Sequence, residues 1–350
     1  MIDTLDAGTI AALIGLFGGI ILGLAARLGR FCSMGAIEDA LYQGSDHRAR
    51  QWGVAIGTAL LGAFGLMGAG LFDPLATPYL GLKWYPMTSI GGGLMFGYGM
   101  AMAGNCGFGA LARLGGGDLR NFVLVTVMGL FTYATLNGPF ATLRVALFPP
   151  VQATEPQGFA HGLAHSLGLP IVPLGIVAGL AILAIALASP SFRKDRKLIA
   201  WGVAVGLAVV SGWAGTSWLS LAAFEAEPIS SHTFAAPIGD TMFYLMTSSA
   251  SSLNFGVGSV TGVIVGAAIG SLFKGHFRWE ACDDPRELKR QIGGAALMGT
   301  GAVVAFGCTV GQGLSAFSLL AYSAPVTMVA IIAGAALGLR QLITGFSVAR

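Results

Sequence analysis

At 350 residues, with 55% hydrophobic and only 10% charged side chains, the chain has too little charge to clothe a soluble globule, where about a quarter of residues are charged. Its formal charge of +3 comes from basic residues gathered in a few loops, which speaks to membrane orientation and leaves no nucleic-acid footprint. Four widely spaced cysteines, without Cys-x-x-Cys, paired histidines or a Walker A motif, exclude a disulfide framework, a zinc site and a nucleotide motor, so no metal and no cofactor are expected.

A spanning helix takes roughly twenty apolar residues. On that measure nine spans are predicted, at 8–27, 52–71, 88–104, 121–137, 171–190, 199–213, 254–273, 292–306 and 325–345. Between them lie apolar pieces too short to cross, at 33–42, 107–115, 214–224, 240–251 and 309–321, which fit re-entrant or interfacial helices. The expected fold is therefore an all-α polytopic membrane protein forming a single membrane domain. No secretory signal is expected, because Met1 to Asp6 has no basic region.

Orientation follows from the Lys and Arg residues. One set of loops carries Arg48 and Arg50, Arg113 and Arg120, Arg193 to Lys197, and Lys274 to Arg290. The opposite set carries Lys83 and Arg144 and little else. The first set is expected in the cytoplasm, with the N-terminus periplasmic and the C-terminus cytoplasmic. Residues 8–137 and 199–345 each read as span, break, span, span, break, span, from opposite sides, with 138–198 as the connector. That is the plan of an inverted repeat, in which broken segments meet at a central site.

Three of the breaks share a pattern, Cys-x-x-Gly after an apolar run: Cys32-Ser33-Met34-Gly35, Cys106-Gly107-Phe108-Gly109 and Cys308-Thr309-Val310-Gly311. The fourth is read at Ser211 to Thr216 and carries Trp213 instead. A short helix after each break offers free N–H groups and partial positive charge to an anion. A neutral thiol adds a weak donor and a soft, polarizable sulfur, which hold a sulfur-containing anion loosely enough to let it leave. One buried cysteine is ordinarily a small hydrophobe, but three in one pattern favour a thiol-lined path through Cys32, Cys106 and Cys308, with Gly104, Asn105, Gly107, Gly307 and Thr309 beside them. Arg30 and Arg113 are candidate anion guides, with a topology-anchoring role the alternative for Arg113. Asn105 reads either as a helix cap or as a substrate contact. Glycines inside spans, such as Gly57, Gly62 and Gly266, are expected to pack helices. Cys282 reads as an ordinary cytoplasmic thiol, and His161, His165 and His232 as solvated outer-loop residues.

These residues resemble the YeeE/YedE family of sulfur-compound transporters. The resemblance rests on Gly29-Arg30-Phe31-Cys32, on Gly104 to Gly109 with Arg113 after it, and on Phe306 to Ser315. Trp279-Glu280 through Glu287 to Gly293-Gly294, and Gly212-Trp213, add to it. It implies thiosulfate uptake across a bacterial inner membrane by an hourglass-shaped helical protein whose cysteines pass the ion along through S–H to sulfur hydrogen bonds. Carried over, those cysteines are Cys32, Cys106 and Cys308, with Cys106 central. Some members of that family work beside a small cytoplasmic sulfur carrier of the TusA type, so the resemblance leaves room for a separate partner of that kind. Another sulfur or selenium compound is the alternative cargo. A membrane thiol oxidoreductase and a general solute channel are the alternative functions.

Overall fold

The computed structural model describes residues 6–222, 228–281 and 284–345; both chain ends, the stretch around Glu225 and the loop thiol Cys282 lie outside the described residues. Among the described residues the chain is helical, with isolated bridges such as Leu82 to Gln152 in place of strands. In chain order the helices are α1 (Ala7–Leu28), α2 (Ser33–Glu38), α3 (His47–Gly68), α4 (Pro78–Gly81), α5 (Pro86–Ala103), α6 (Gly107–Gly115), α7 (Arg120–Leu136) and α8 (Ala141–Leu147). They continue with α9 (Phe159–Leu167), α10 (Ile171–Ala186), α11 (Pro190–Lys194), α12 (Arg196–Ala222), α13 (Ala235–Thr247), α14 (Phe255–Phe273), α15 (Pro285–Val304) and α16 (Ser323–Thr344). Between α15 and α16 the chain makes a π-helical turn, Gly311–Ala316, and a 3-10 turn, Phe317–Leu319.

Every predicted span overlaps a helix. Five segments are long and apolar enough to cross a membrane by themselves: Ala7–Gln43, which contains α1, and helices α3, α12, α14 and α16. The pair α7 and α8, bent by 54°, makes a sixth if taken as one span. The remaining predicted spans fall short for local reasons. Helix α10 has 16 residues, α5 is diluted by glycine, and α15 opens on the charged run Pro285 to Arg290.

The second half departs from expectation at its first break. Ser211 to Thr216 does not interrupt anything: α12 runs unbroken for 27 residues, and 214–222 is its last part rather than a separate piece. Gly212 and Gly215 are contact points inside that helix, where a Cβ would come within 2.7 Å of Ser231 Oγ and 2.5 Å of Ile14. The real break is Ser231 to Phe234, and the half-helix behind it, α13, begins earlier than the predicted 240–251. The connector also carries the short helices α8 and α9, which the sequence reading did not resolve.

Glycine sets how closely the long helices approach. Gly15, Gly19 and Gly23 of α1 meet the carbonyls of Phe255, Ser259 and Val263, where a Cβ would come within 2.2–2.4 Å. In return Gly258, Gly262 and Gly266 of α14 meet the carbonyls of Ala12, Leu16 and Ile20, at 1.8–2.4 Å. The matching order makes the pair parallel and brings the two backbones into contact along three helical turns. Helices α5 and α15 use Gly92 with Gly301 and Gly99 with Gly294 in the same reciprocal way, but antiparallel. Gly57 and Gly62 likewise face α10 and α12.

Where α1 meets α14 the nearest atoms are backbone, so a side chain larger than hydrogen has no flexible neighbour to displace. Gly262→Leu should therefore destabilise the protein by more than about 2 kcal/mol. Gly91→Ala, at a helical position with open space around it, should be neutral or mildly stabilising. Thermal melting of the two purified variants in detergent checks the contrast.

Candidate functional site

The three cysteine motifs fold alike. Two residues before each cysteine the backbone enters positive φ: Arg30 at 54°, Gly104 at 78° and Phe306 at 60°. For Arg30 and Phe306 this left-handed conformation costs about 1 kcal/mol or more each, a strain that surrounding contacts must hold. The chain then reverses and the cysteine takes the N-cap position of a short helix. Each Sγ accepts a hydrogen bond from the backbone N–H three residues on: Gly35 to Cys32 at 3.4 Å, Gly109 to Cys106 at 3.4 Å, and Gly311 to Cys308 at 3.5 Å. The spacing of thiol and glycine that the three motifs share is thus a capping geometry with sulfur as acceptor. At two of the sites a side chain at the third position would meet a neighbour, the short Thr233 at Gly311 and the movable end of Arg48 at Gly35. A Cβ on Gly35 would come within 1.7 Å of the Arg48 guanidinium, and one on Gly311 within 2.5 Å of Thr233 Oγ1.

Cys308 is held further. The Phe234 N–H donates to its Sγ at 3.4 Å, and Thr233 Oγ1 lies 3.7 Å away. Both come from the break before α13, which the sequence reading missed. His232 in that break is not solvated but fully buried. Its Nδ1 pairs with Ser259 Oγ at 2.7 Å, and Gly18 of α1 leaves room for the ring. His165 is exposed and His161 half-buried. The signal that could have found the break is the polar run Ser230-Ser231-His232-Thr233 ahead of Pro237, a proline placed in the first turn of the helix that follows.

Aromatic rings join the motifs. Phe31 stacks on Trp52 with centroids 4.6 Å apart and meets Phe108 edge-on at 6.5 Å; Phe108 packs on Phe234 at 5.3 Å. Ser33 Oγ lies 3.8 Å from Met100 Sδ. Cys106 and Cys308 are each 1% exposed and belong to one hydrophobic core cluster, against which the half-buried Cys32 packs. All three remain free thiols. None of them lies on an outer surface separate from the others.

Two cavities approach this cluster from opposite sides. One, of 240 Å³, is lined by Tyr79, Trp213, Thr233, Phe306 and Gly307, next to Cys308. The other, of 100 Å³, is lined by Gly104, Asn105, Arg113, Arg120, Arg290 and Gln291, next to Cys106. Arg113, exposed at the end of α6, lines that second cavity. Arg30 does not: it is exposed on the rim near Lys274, whose ammonium is held below its ordinary range by desolvation and by the charges of Lys197, Arg30 and Arg27. Asn105 is not the cap, since Cys106 is. Its Nδ2 donates to Asn121 Oδ1 at 2.9 Å, while its Oδ1, like Thr309 Oγ1, is buried without a protein partner. Gly107 packs against Met128, where a Cβ would come within 2.8 Å, and Gly307 turns the chain at φ 155°. Trp213 is part of no break; its indole N–H donates to Ser318 Oγ at 3.0 Å and ties α12 to the turn after Cys308.

Chemically, each sulfur spends a lone pair on a helix N–H, and its own S–H is left to donate elsewhere. Unpartnered oxygens of Asn105 and Thr309 lie beside those thiols. No lysine or arginine takes part in the caps. Such a set can offer an anion only weak, soft contacts.

A family described as "Sulphur transport" matches residues 28–337. The thiosulfate transporter TsuA of Escherichia coli (strain K12) is 27% identical over 338 residues, covering 91% of each chain. The thiosulfate transporter TsuA of Spirochaeta thermophila (strain ATCC 700085 / DSM 6578 / Z-1203) is 27% identical over 333 residues, 91% of this chain and 96% of its own.

If the cap is structural as well as chemical, Cys106→Ala should be less stable than Cys106→Ser by about 1 kcal/mol, because serine still accepts from the Gly109 N–H and alanine cannot. Melting temperatures of the two variants in the same detergent check this.

Proposed function

The chain belongs to the sulphur transport family, and from that premise we propose that it imports thiosulfate across a bacterial inner membrane, handing the dianion along Cys308, Cys106 and Cys32. It is a multi-pass membrane protein and a transporter of sulfur compounds, not an enzyme. The names of its relatives support thiosulfate as cargo. The observation that carries the path is the gathering of three free, identically capped thiols in one core between two cavities.

On this reading α1, α3, α5, α7, α10, α12, α14, α15 and α16 are the nine crossings. The basic loops face the cytoplasm, the first helix starts in the periplasm and the last ends inside. Two inverted halves account for the pairing of helices. Helix α1 packs on α14 as α12 packs on α3, and α5 packs on α16 as α15 packs on α7. Matching α1 with α12, α3 with α14, α5 with α15 and α7 with α16 interchanges these pairs. The break before α13 then takes the place of the Cys32 break, with Thr233 and Phe234 where the first half has its thiol.

The mechanism is a relay of weak bonds. A thiosulfate entering the outer cavity meets Thr233 and Cys308, where S–H donates to its terminal sulfur. Cys106 and Cys32 offer the same bond further in, and Arg113 draws the anion toward the inner cavity. Each hand-over exchanges one S–H contact for another, so no deep well forms. Sulfate offers only oxygen to the thiols and should pass poorly. A membrane potential negative inside opposes a dianion by about 4.6 kcal/mol per 100 mV, at 2.3 per charge. Net uptake therefore needs rapid consumption inside, which a TusA-like sulfur carrier would supply, or a co-transported cation.

In cells lacking other thiosulfate routes, Cys106→Ser should keep the protein folded and lower thiosulfate uptake at least about tenfold, because the hard hydroxyl exchanges the weak S–H contact for a tighter grip on the anion's oxygens, a well deeper by about 1.4 kcal/mol. Wild-type uptake by that variant would refute the thiol path.

A further inference from the structure

A further cavity, of 240 Å³, adjoins the break before α13. Its polar lining is Asp240, Thr216, Ser230, Ser231, Thr233 and Asn254, and no lysine, arginine or histidine is among the described residues around it. Asp240 is half-buried on α13 and takes part in no ion pair among the described residues. The Tyr133 hydroxyl of α7 donates to its Oδ1 at 2.6 Å. The helices packed on α13 bring it no cation. Helix α14 has no titratable group, and the charged residues of α15 and Arg120 of α7 stand at the ends that border the second cavity.

The neutral oxygens around Asp240 are set to accept. Ser231 spends its proton on the Val209 carbonyl at 2.8 Å, and Thr216 on the Gly212 carbonyl at 2.8 Å. Asn254 Oδ1 is oriented by the Val257 N–H at 3.0 Å. Lone pairs remain on these hydroxyls, and no proton is left to give. Such a lining repels an anion and suits a hard cation, for which oxygen ligands are the rule. With one carboxylate, its charge matches a monovalent ion.

Thr233 links this cavity to the thiol path. It also lines the cavity beside Cys308, and its Oγ1 lies 3.7 Å from that sulfur. Asp240 follows Thr233 by seven positions, roughly 10 Å at the rise of a helix. An ionised Asp240 with nothing bound therefore opposes a dianion arriving at Cys308, and a cation beside it removes that opposition. We infer that the Asp240 cavity binds a sodium ion that enters together with the anion, each favouring the other's binding. The inference rests on the transport reading above. One sodium halves the charge that must move inward against the membrane potential.

Two measurements test it, on purified protein in detergent and in proteoliposomes, at constant ionic strength with choline replacing sodium. Labelled sodium should bind wild type, and bind Asp240→Asn at least about tenfold more weakly, although asparagine still accepts from Tyr133. Tyr133→Phe strips a hydrogen bond from the carboxylate and concentrates its charge, so it should bind sodium about 2- to 5-fold more tightly. External sodium should lower KM for labelled thiosulfate at least about fivefold in wild type and leave it unchanged in Asp240→Asn. Equal sodium binding by wild type and Asp240→Asn, or binding by neither, overturns the cation site. So does uptake that follows a proton gradient and ignores sodium. In each of those cases thiosulfate uptake by wild type keeps the transport reading intact. Sodium binding that needs Asp240, in a protein that takes up no thiosulfate, would instead keep the site and remove the transport reading.

Discussion

A helix broken inside a bilayer exposes backbone groups that water cannot reach, and each must find a partner within the protein. That requirement organises the centre of this molecule. At each cysteine motif the first free N–H groups of the short helix are met by sulfur. The carbonyls left behind are met by buried amides: Gln51 Nε2 donates to Gly29 O, and Gln312 Nε2 to both Ala305 O and Phe306 O. At the fourth break hydroxyls do the work. Ser315 donates to His232 O and Thr216 to Ser230 O. A buried unsatisfied group costs about 1–3 kcal/mol, so these partners are conditions for having breaks at all.

The same constraint explains why thiols suit both structure and transport. A serine cap would satisfy the N–H, but its hydroxyl would be a harder, stronger partner for an oxyanion. A lysine could not cap, having no acceptor, and would bind a dianion tightly. Cysteine accepts one weak bond from the helix and keeps one weak donor. Among the polar atoms left over, Asn105 Oδ1 and Thr309 Oγ1 belong to the residues next to two of the three thiols in the chain. On the transport reading, the fold stabilises its breaks with groups too soft to trap the cargo.

Much of this was legible in the chain because two signals are local. Long apolar runs mark helices, and Cys-x-x-Gly after such a run marks a capped re-entry. What was not legible depended on contacts between distant segments. Gly212 and Gly215 look like breakers in isolation, yet α12 continues through them because each gives room to another segment, Ser231 and Ile14. His232 looks like a loop residue until Ser259 and Gly18 are placed around it. In an apolar solvent glycine marks close approach at least as often as it marks a turn. Only the partner strip tells the two apart, as Gly258, Gly262 and Gly266 do for Gly15, Gly19 and Gly23.

Charge is arranged to complement the soft centre. Five cations line the two mouths: Lys83 and Arg144 at one, Arg113, Arg120 and Arg290 at the other. Those at the second mouth are partly offset, by Asp118 and Glu280 against Arg120 and by Glu287 against Arg290. The pair at the first mouth has no such counterweight. An anion therefore meets stronger net attraction at the first mouth than at the second. On the import reading proposed above, an anion would be drawn to the first mouth by unneutralised charge and would leave the second past carboxylates that already occupy part of the guanidinium surface. An inward path for a dianion needs that asymmetry, since its last step is to leave.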